Sequence, residues 1–197
     1  MGPGVRRAGD GKTIHVKCDY RLVVDNLMDL THETFVHGGS IGNEAVAEAP
    51  FDVTHGDKTV TVNRWMKGIE APGTVNIDVG VAPAGTGAPE GDRSHGVNGY
   101  VLNTMTPETA TTCHYFWAFV RNHRRTEQRL TTEIREGVSG IFHEDEIILE
   151  AQQRAIDENP DRVFYNLNID TGAMWARRVI DRMVARESAA ATVQAAE

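Results

Sequence analysis

Two histidines stand five positions apart in the segment DNLMDLTHETFVH, residues 25–37. Imidazole nitrogen is a ligand for iron, zinc, copper and nickel, so His32 and His37 are candidate metal ligands. On a regular helix each residue turns about 100°, and side chains five positions apart point about 140° away from each other. The two rings can converge if the helix loosens between them, or if His37 lies where the helix unwinds into Gly38-Gly39. The alternative is that one histidine caps the helix and the other packs in the core.

A carboxylate from the run FHEDEIILE, residues 142–150, would complete a three-ligand site. If this run is helical, Asp145 shares a face with Ile148 and Leu149 and therefore points toward the core. A buried carboxylate needs a partner, and a divalent cation is one. Glu144 shares part of that face, and an acidic first helical turn explains the run about as well, so periodicity leaves the choice open. Two histidines and one carboxylate with open positions form the facial triad of non-heme Fe(II) sites.

Zinc hydrolysis is the competing chemistry for the same two histidines. Zinc sites of that kind often show H-E-x-x-H, whereas the present pair reads H-E-T-F-V-H and is one residue longer. The two cysteines, Cys18 and Cys113, are far apart in the chain and no C-x-x-C occurs. A zinc knuckle or an iron–sulfur cluster bound within this chain is therefore not expected.

The charge and hydropathy of the chain argue against two classes of partner, nucleic acids and membranes. The 197 residues carry 20 Lys+Arg against 28 Asp+Glu, a net charge of −8, and the longest basic run is RNHRR at 121–125. This balance argues against nucleic-acid binding. No apolar run approaches the ~18 residues of a membrane span, and the N-terminus lacks the apolar core of a signal peptide. We therefore expect a cytoplasmic protein with no nucleic-acid and no membrane partner.

Hydrophobic periodicity predicts the elements that position these residues. Strands or hairpins are predicted at Thr13–Tyr20, Phe51–Val62, Val75–Val81 and Tyr100–Arg121, the last with a turn over Thr106–Thr111, and a loop at Ala82–Gly99. Helices are predicted at Leu27–His37 with Asp25 or Asn26 as cap, at Glu127–Glu136, at His143–Asn159, and from Asp170 or Thr171 onward. The predicted fold class is α+β, an antiparallel sheet with helices packed on it. Residues 13–187 are expected to form the domain, between a flexible N-terminus (1–12) and a disordered tail (188–197).

The segment CDYRLVVDNLMDLTHETFVH (18–37), followed by Ser40-Ile41-Gly42, resembles the catalytic-domain signature of the vanillate O-demethylase oxygenase subunits, which are Rieske-type aromatic oxygenases. The likeness covers most of residues 13–185. It continues in VGVA (79–82), YFW (115–117), FHEDEIILEAQQ (142–153) and NLNIDTGAMWARRVIDR (166–182). The resemblance implies a helix-grip-like domain in which His32, His37 and Asp145 hold Fe(II).

The same resemblance implies further roles. Asp29 matches an acidic residue that hydrogen-bonds toward the Rieske centre of a neighbouring subunit, and Asn26 matches a residue near the iron. The implied reaction is O2-dependent O-demethylation, or hydroxylation, of a methoxylated aromatic acid such as vanillate, with release of formaldehyde. The implied partners are an NADH-dependent ferredoxin-type reductase and, in a complete subunit, two further copies in a homotrimer.

Candidate substrate residues lie on the last predicted hairpin. Tyr115, Trp117 and Phe119 share one side of a strand, although such an aromatic face is more often plain core. Asn103, on the facing strand, is the better polar candidate for recognising a ring substituent.

Two departures from the family qualify the implied activity. The chain has neither Cys-x-His nor Cys-x-x-His, so the [2Fe-2S] Rieske cluster needed for turnover is not bound by this chain. The connection Lys67–Gly73 is shorter than in the family, so part of the pocket wall or one strand of the sheet is expected to be missing. The alternative function is therefore a truncated, catalytically incompetent remnant, or an aromatic-ligand-binding module of the same fold.

Overall fold

The computed structural model describes residues 6–8, 13–38, 48, 50–66, 69–73, 76–81 and 97–194. The strands are β1 (Arg6–Ala8), β2 (Ile14–Val16), β3 (Phe51–His55), β4 (Val60–Met66), β5 (Ile69–Gly73), β6 (Asn76–Val81), β7 (Val97–Thr109) and β8 (Thr112–Arg121). The helices are α1 (Tyr20–Met28), α2 (His32–Val36), α3 (Gln128–Glu158) and α4 (Thr171–Gln194), with a 3-10 turn at Asn168–Asp170. The predicted α+β class is confirmed. Within these ranges, no helix is long and apolar enough to cross a membrane.

The strands form one antiparallel sheet in the order β1-β8-β7-β6-β5-β4-β3, and β2 also pairs with β8. The long β7–β8 hairpin sets the register that matters for the site, with Asn103 opposite Trp117. Along β8 the side chains of Cys113, Tyr115 and Trp117 are buried, whereas Phe116 between them is exposed. This alternation shows that one face of the sheet carries the core and the other faces water.

The helices cover the inner face through two apolar clusters. The first joins α1 and α3 to β2, β7 and β8, and its buried members include Leu22, Leu27, Val101, Tyr115, Trp117, Phe142 and Leu149. The second joins α1 and α4 to β4 through Met28, Val62 and Ala176. Helix α4 approaches β4 closely at Gly172, where an added Cβ would lie 2.2 Å from Val62 Cγ2.

The prediction of one helix over Leu27–His37 is wrong. Helix α1 begins at Tyr20, because Asp19 accepts a hydrogen bond from the backbone N–H of Arg21 and caps it. Strand β2 therefore ends at Val16 rather than Tyr20, and the two predicted caps at 25 and 26 lie inside α1. Helix α1 ends at Met28, and α2 begins only at position 32.

The two predicted helices at 127–136 and 143–159 are a single helix, α3. Gly137 and Gly140 lie inside it, and a Cβ at either position would meet nothing within 4 Å. Each glycine costs about 1 kcal/mol relative to alanine in a helix, which the burial of the Phe142 and Leu149 side chains against the sheet exceeds.

Several further segments differ from expectation. The connection at 67–73 itself contains a strand, because β5 occupies Ile69–Gly73 and pairs with β4. The last hairpin turns at positions 110–111, since β7 extends to Thr109. Helix α4 includes residues 188–194, in keeping with the high helix propensity of alanine, and β1 lies within the segment 1–12. The expected loop at 82–99 ends earlier than predicted, because β7 begins at Val97. Residues 39–42 and 82–96 lie outside the described residues.

Candidate metal centre

The break between α1 and α2 places both histidines on one side of the backbone. His32 is the first residue of α2, and His37 is its C-cap, with φ −103° and ψ 23°. From the sequence, the two rings could converge if the helix unwound at His37, and this is the arrangement that the structure shows. The ring centroids lie 5.2 Å apart, with the planes at 73° to each other.

Asp145 reaches the same point from α3. Its Oδ1 lies 3.1 Å from His37 Nε2 and 3.5 Å from His32 Nε2. One ligand atom from each of the three residues lies within 4.8 Å of the other two, and no other such group occurs in the described part of the chain. The His37 side chain is 1% exposed, that of Asp145 6% and that of His32 15%.

Two nitrogen donors and one carboxylate oxygen fit a divalent cation. Asp145 Oδ1 is buried and accepts no hydrogen bond from any described residue. Burial raises the pKa of Asp145 above its ordinary value, while the nearby imidazoles of His32 and His37 and a hydrogen bond from Asn26 to the carboxyl group lower it. A buried carboxylate oxygen without a donor is costly, and a cation among the three ligand atoms would satisfy it. The donor set is that of a facial triad.

Hydrogen bonds on the far side of each ring determine which nitrogen faces the centre. His32 Nδ1 contacts the backbone carbonyl of Asp29, and His37 Nδ1 lies 2.7 Å from Glu144 Oε2. A carbonyl and a carboxylate only accept, so both Nδ1 atoms carry the proton and both Nε2 lone pairs face Asp145. From the sequence, Glu144 was predicted only as an alternative ligand to Asp145, and its contact with His37 was not predicted. The position of Glu144 next to Asp145 was the one signal that pointed to this contact.

A cleft of about 540 Å³ lies along α1. Asn26 and Asp29 line it, and Asn26 Nδ2 lies 3.5 Å from His32 Nε2. Asp29 is half-buried, and its Oδ1 accepts a hydrogen bond of 2.8 Å from the backbone N–H of Thr31. The outer wall of the cleft includes Tyr165, which is 87% exposed. Asp29 thus connects an open surface with a candidate ligand.

The sequence matches the family described as the vanillate O-demethylase oxygenase C-terminal domain, over residues 16–71 and 67–186. The chain belongs to this family. The two matched segments meet at 67–71, which is the connection identified above as short. The family assignment made from the ligand segment is therefore confirmed.

Named relatives of this C-terminal domain are oxygenases and demethylases. The chain is 40% identical to a vanillate O-demethylase oxygenase subunit of Pseudomonas sp., over 91% of this chain and 64% of that protein. It is 33% identical to a putative toluene-4-sulfonate monooxygenase iron–sulfur subunit of Comamonas testosteroni, over 91% and 60%. The chain thus spans less than two thirds of the length of these relatives.

Solved structures agree on the fold. Dicamba monooxygenase bound to 3,6-dichlorosalicylic acid superposes with a TM-score of 0.78 at 25% identity, covering 95% of this chain and 61% of that one. Another structure of that enzyme, which contains non-heme iron and dicamba, has a TM-score of 0.69 at 24% identity. The fold is that of a Rieske oxygenase catalytic domain.

The candidate substrate residues of this C-terminal domain lie in a buried layer beneath α3. Tyr115 donates a hydrogen bond of 2.8 Å to Asn103 Oδ1, and burial raises the pKa of Tyr115 well above its ordinary value, helped by the charge of Asp145. The rings of Tyr115 and Trp117 pack edge-on against Phe142, with centroids 5.3 and 5.5 Å away. Trp117 Nε1 is buried without a hydrogen-bond partner among the described residues. All three candidates are part of the core layer next to the metal centre.

Proposed function

We propose that this chain is the catalytic domain of an aromatic-ring oxygenase that O-demethylates a methoxylated aromatic acid such as vanillate. Fe(II) would be held by His32, His37 and Asp145. The observation that carries the proposal is the convergence of two imidazole nitrogens on a buried carboxylate oxygen without a hydrogen-bond donor, in a chain of this family.

The bound iron would supply the activation of O2. One oxygen atom enters a C–H bond of the methoxy group, and the other leaves as water with two electrons and two protons. The product is a hemiacetal, which collapses to a phenol and formaldehyde. The residues of this chain contribute orientation, since the bonds at Nδ1 of His32 and His37 fix the donor nitrogens, and burial of Asp145 keeps water from its carboxylate.

Hydrogen peroxide is equivalent to O2 plus two electrons and two protons. It can therefore replace all of them in this reaction and test the function without an electron donor. The Fe(II)-loaded chain, mixed with vanillate and peroxide, is expected to release formaldehyde without any added reductant. The Asp145→Ala variant should release none. A chain that binds iron but yields no formaldehyde would support the alternative, an aromatic-ligand-binding remnant, for which the lack of Cys-x-His and Cys-x-x-His in the sequence is the motivating observation.

Electrons would enter through the cleft at Asp29. The donor would be a [2Fe-2S] Rieske centre on another domain or polypeptide, reduced by an NADH-dependent ferredoxin-type reductase. Two relatives are named as an iron–sulfur subunit of a monooxygenase system and as an oxygenase component, and these names support a system of several components. A complete subunit would form a homotrimer. The location would be cytoplasmic, without membrane partners, and the acidic composition argues against nucleic-acid partners.

The Asp29→Asn variant is expected to retain iron and to slow electron delivery about 10- to 100-fold, the usual effect of a residue that acts through a metal ligand. The backbone carbonyl that holds His32 is unchanged by this substitution, whereas the charge facing the cleft is lost. The measurement is stopped-flow oxidation of a Rieske domain supplied in trans, with O2 and substrate present. Unchanged cluster oxidation would mean that electrons enter elsewhere, and loss of iron would make Asp29 a structural support of His32.

The substrate would contact the layer formed by Asn103, Tyr115 and Trp117. Trp117 Nε1 is the donor there that has no partner among the described residues, so it is suited to a polar ring substituent. Trp117→Phe keeps the ring packing on Phe142 and removes the N–H, and it is expected to raise KM for vanillate about 2- to 10-fold, the value of one hydrogen bond. Fe(II) content should not change. An unaltered KM would assign Trp117 to the core alone.

A further inference from the structure

We propose that Glu144 is a positioning residue of the metal centre, which orients His37 and raises the basicity of its donor nitrogen. The inference rests on the proposed metal site and extends it to a residue outside the ligand set. Its basis is the 2.7 Å contact between Glu144 Oε2 and His37 Nδ1.

The contact with Glu144 matters for His37 because the His37 side chain is buried and Nδ1–H needs an acceptor there. The His37 side chain is 1% exposed, so its Nδ1–H has no water to donate to, and the structure supplies a carboxylate instead. The Glu144 side chain is 43% exposed, so water solvates its negative charge and the bond does not require a buried anion. A carboxylate that accepts from a metal-bound imidazole fixes the tautomer and strengthens the nitrogen on the opposite edge as a ligand.

Helix α3 therefore holds both edges of one imidazole ring. Glu144 contacts Nδ1, and the next residue, Asp145, lies 3.1 Å from Nε2. His32 differs, because its Nδ1 contacts the neutral backbone carbonyl of Asp29. The two histidine ligands thus differ in the partner of Nδ1. Only for His37 is that partner a side chain, so only there can a substitution remove it.

The same helix offers a matched control. Glu146 contacts His143 Nδ1 at 3.0 Å through its Oε2, in a pair of the same chemistry. His143 is mostly exposed and belongs to no ligand group. Glu146→Ala therefore removes an equivalent carboxylate–imidazole contact from α3 without touching the metal centre.

The experiment titrates the full chain with Co²⁺ as the probe metal and follows its visible absorption. Glu144→Ala is expected to weaken the apparent Co²⁺ affinity about 10- to 100-fold. Glu144→Gln, which keeps an acceptor without the charge, should lie between Glu144→Ala and the unsubstituted chain, and Glu146→Ala should match the unsubstituted chain. Equal helicity of all variants by circular dichroism without metal verifies folding.

A site-specific readout separates positioning from a general structural effect. In the Co²⁺-loaded chain, the Nδ1–H protons of His32 and His37 should give two shifted, exchangeable proton NMR signals. Glu144→Ala should lose the His37 signal to fast exchange with water and retain that of His32. Unchanged affinity with both signals present would overturn this inference and leave the metal site standing. Failure of the unsubstituted chain to bind Co²⁺ or Fe(II) would overturn the proposed metal site itself.

Discussion

Replacing Asp145 with alanine is expected to abolish Fe(II) binding under anaerobic conditions, in which the unsubstituted chain should take up about one equivalent, as for a single facial triad. Asp145 supplies the only anionic ligand of the group, and its Oδ1 lies between the two imidazoles. His32→Ala and His37→Ala each remove one of three donors and are expected to have the same result. The measurement is iron content after anaerobic loading and gel filtration.

The control for this prediction is Glu144→Ala, which should bind iron more weakly but still bind it. The reverse pattern, with normal iron in Asp145→Ala and none in Glu144→Ala, would show that the ligand assignment is wrong. Thermal unfolding of each variant without metal separates loss of a ligand from loss of the fold.

Sustained turnover of a methoxybenzoate is expected only when a Rieske protein is supplied. Each reaction consumes two electrons, and the sequence contains neither Cys-x-His nor Cys-x-x-His, the motifs of a Rieske cluster that would deliver them. Cys18 and Cys113 are fully buried, and their mutual hydrogen bond and burial raise the pKa of Cys18 above its ordinary value. Both are thiols packed in the core.

The assay combines the iron-loaded chain with NADH, reductase and substrate, and measures formaldehyde. Without a Rieske protein, the yield should not exceed about half a formaldehyde per iron, because each Fe(II) supplies one of the two electrons and cannot be reduced again. Adding a Rieske domain in trans, or by fusion, should restore multiple turnover. Continued formaldehyde release without it would contradict the assignment of the chain as a domain that depends on a separate donor.

The convergence of the two histidines could be predicted only in part from the sequence. The unwinding at His37 follows from the glycine at position 38. The break before His32 carries no such signal, because residues 27–37 contain neither glycine nor proline. It is stabilised by contacts that periodicity does not encode: the bond from the His32 ring to the Asp29 carbonyl, the bond from Thr31 N–H to the Asp29 side chain, and the burial of Leu30.

Periodicity could not decide whether Glu144 or Asp145 is the third ligand, again because the deciding contact is made by a distant part of the chain. Both residues lie partly on the inner face of α3, and the ring that separates their roles belongs to a residue 107 positions earlier in the chain. Helical periodicity reports which side of a helix faces the core, but not which atom of a distant side chain it meets there. The resemblance to the family supplied the assignment that periodicity left open.

The unbroken course of α3 shows the limit of local propensity. Two glycines within a short stretch predict a helix boundary, yet the helix passes through both. The helix has tertiary contacts on both sides of the glycines: Phe142 and Leu149 are buried after them, and before them Thr131 accepts a hydrogen bond of 2.8 Å from the buried Arg121. Tertiary contacts therefore override a local preference of about 1 kcal/mol per glycine.

The most direct test of the central claim is an anomalous difference map at the iron edge from crystals grown anaerobically with Fe(II). The structure predicts one peak per chain, within bonding distance of His32 Nε2, His37 Nε2 and a carboxylate oxygen of Asp145, with Glu144 on the far edge of the His37 ring. A peak bound to Glu144 in place of Asp145, or iron elsewhere on the chain with these three residues unoccupied, would contradict the account.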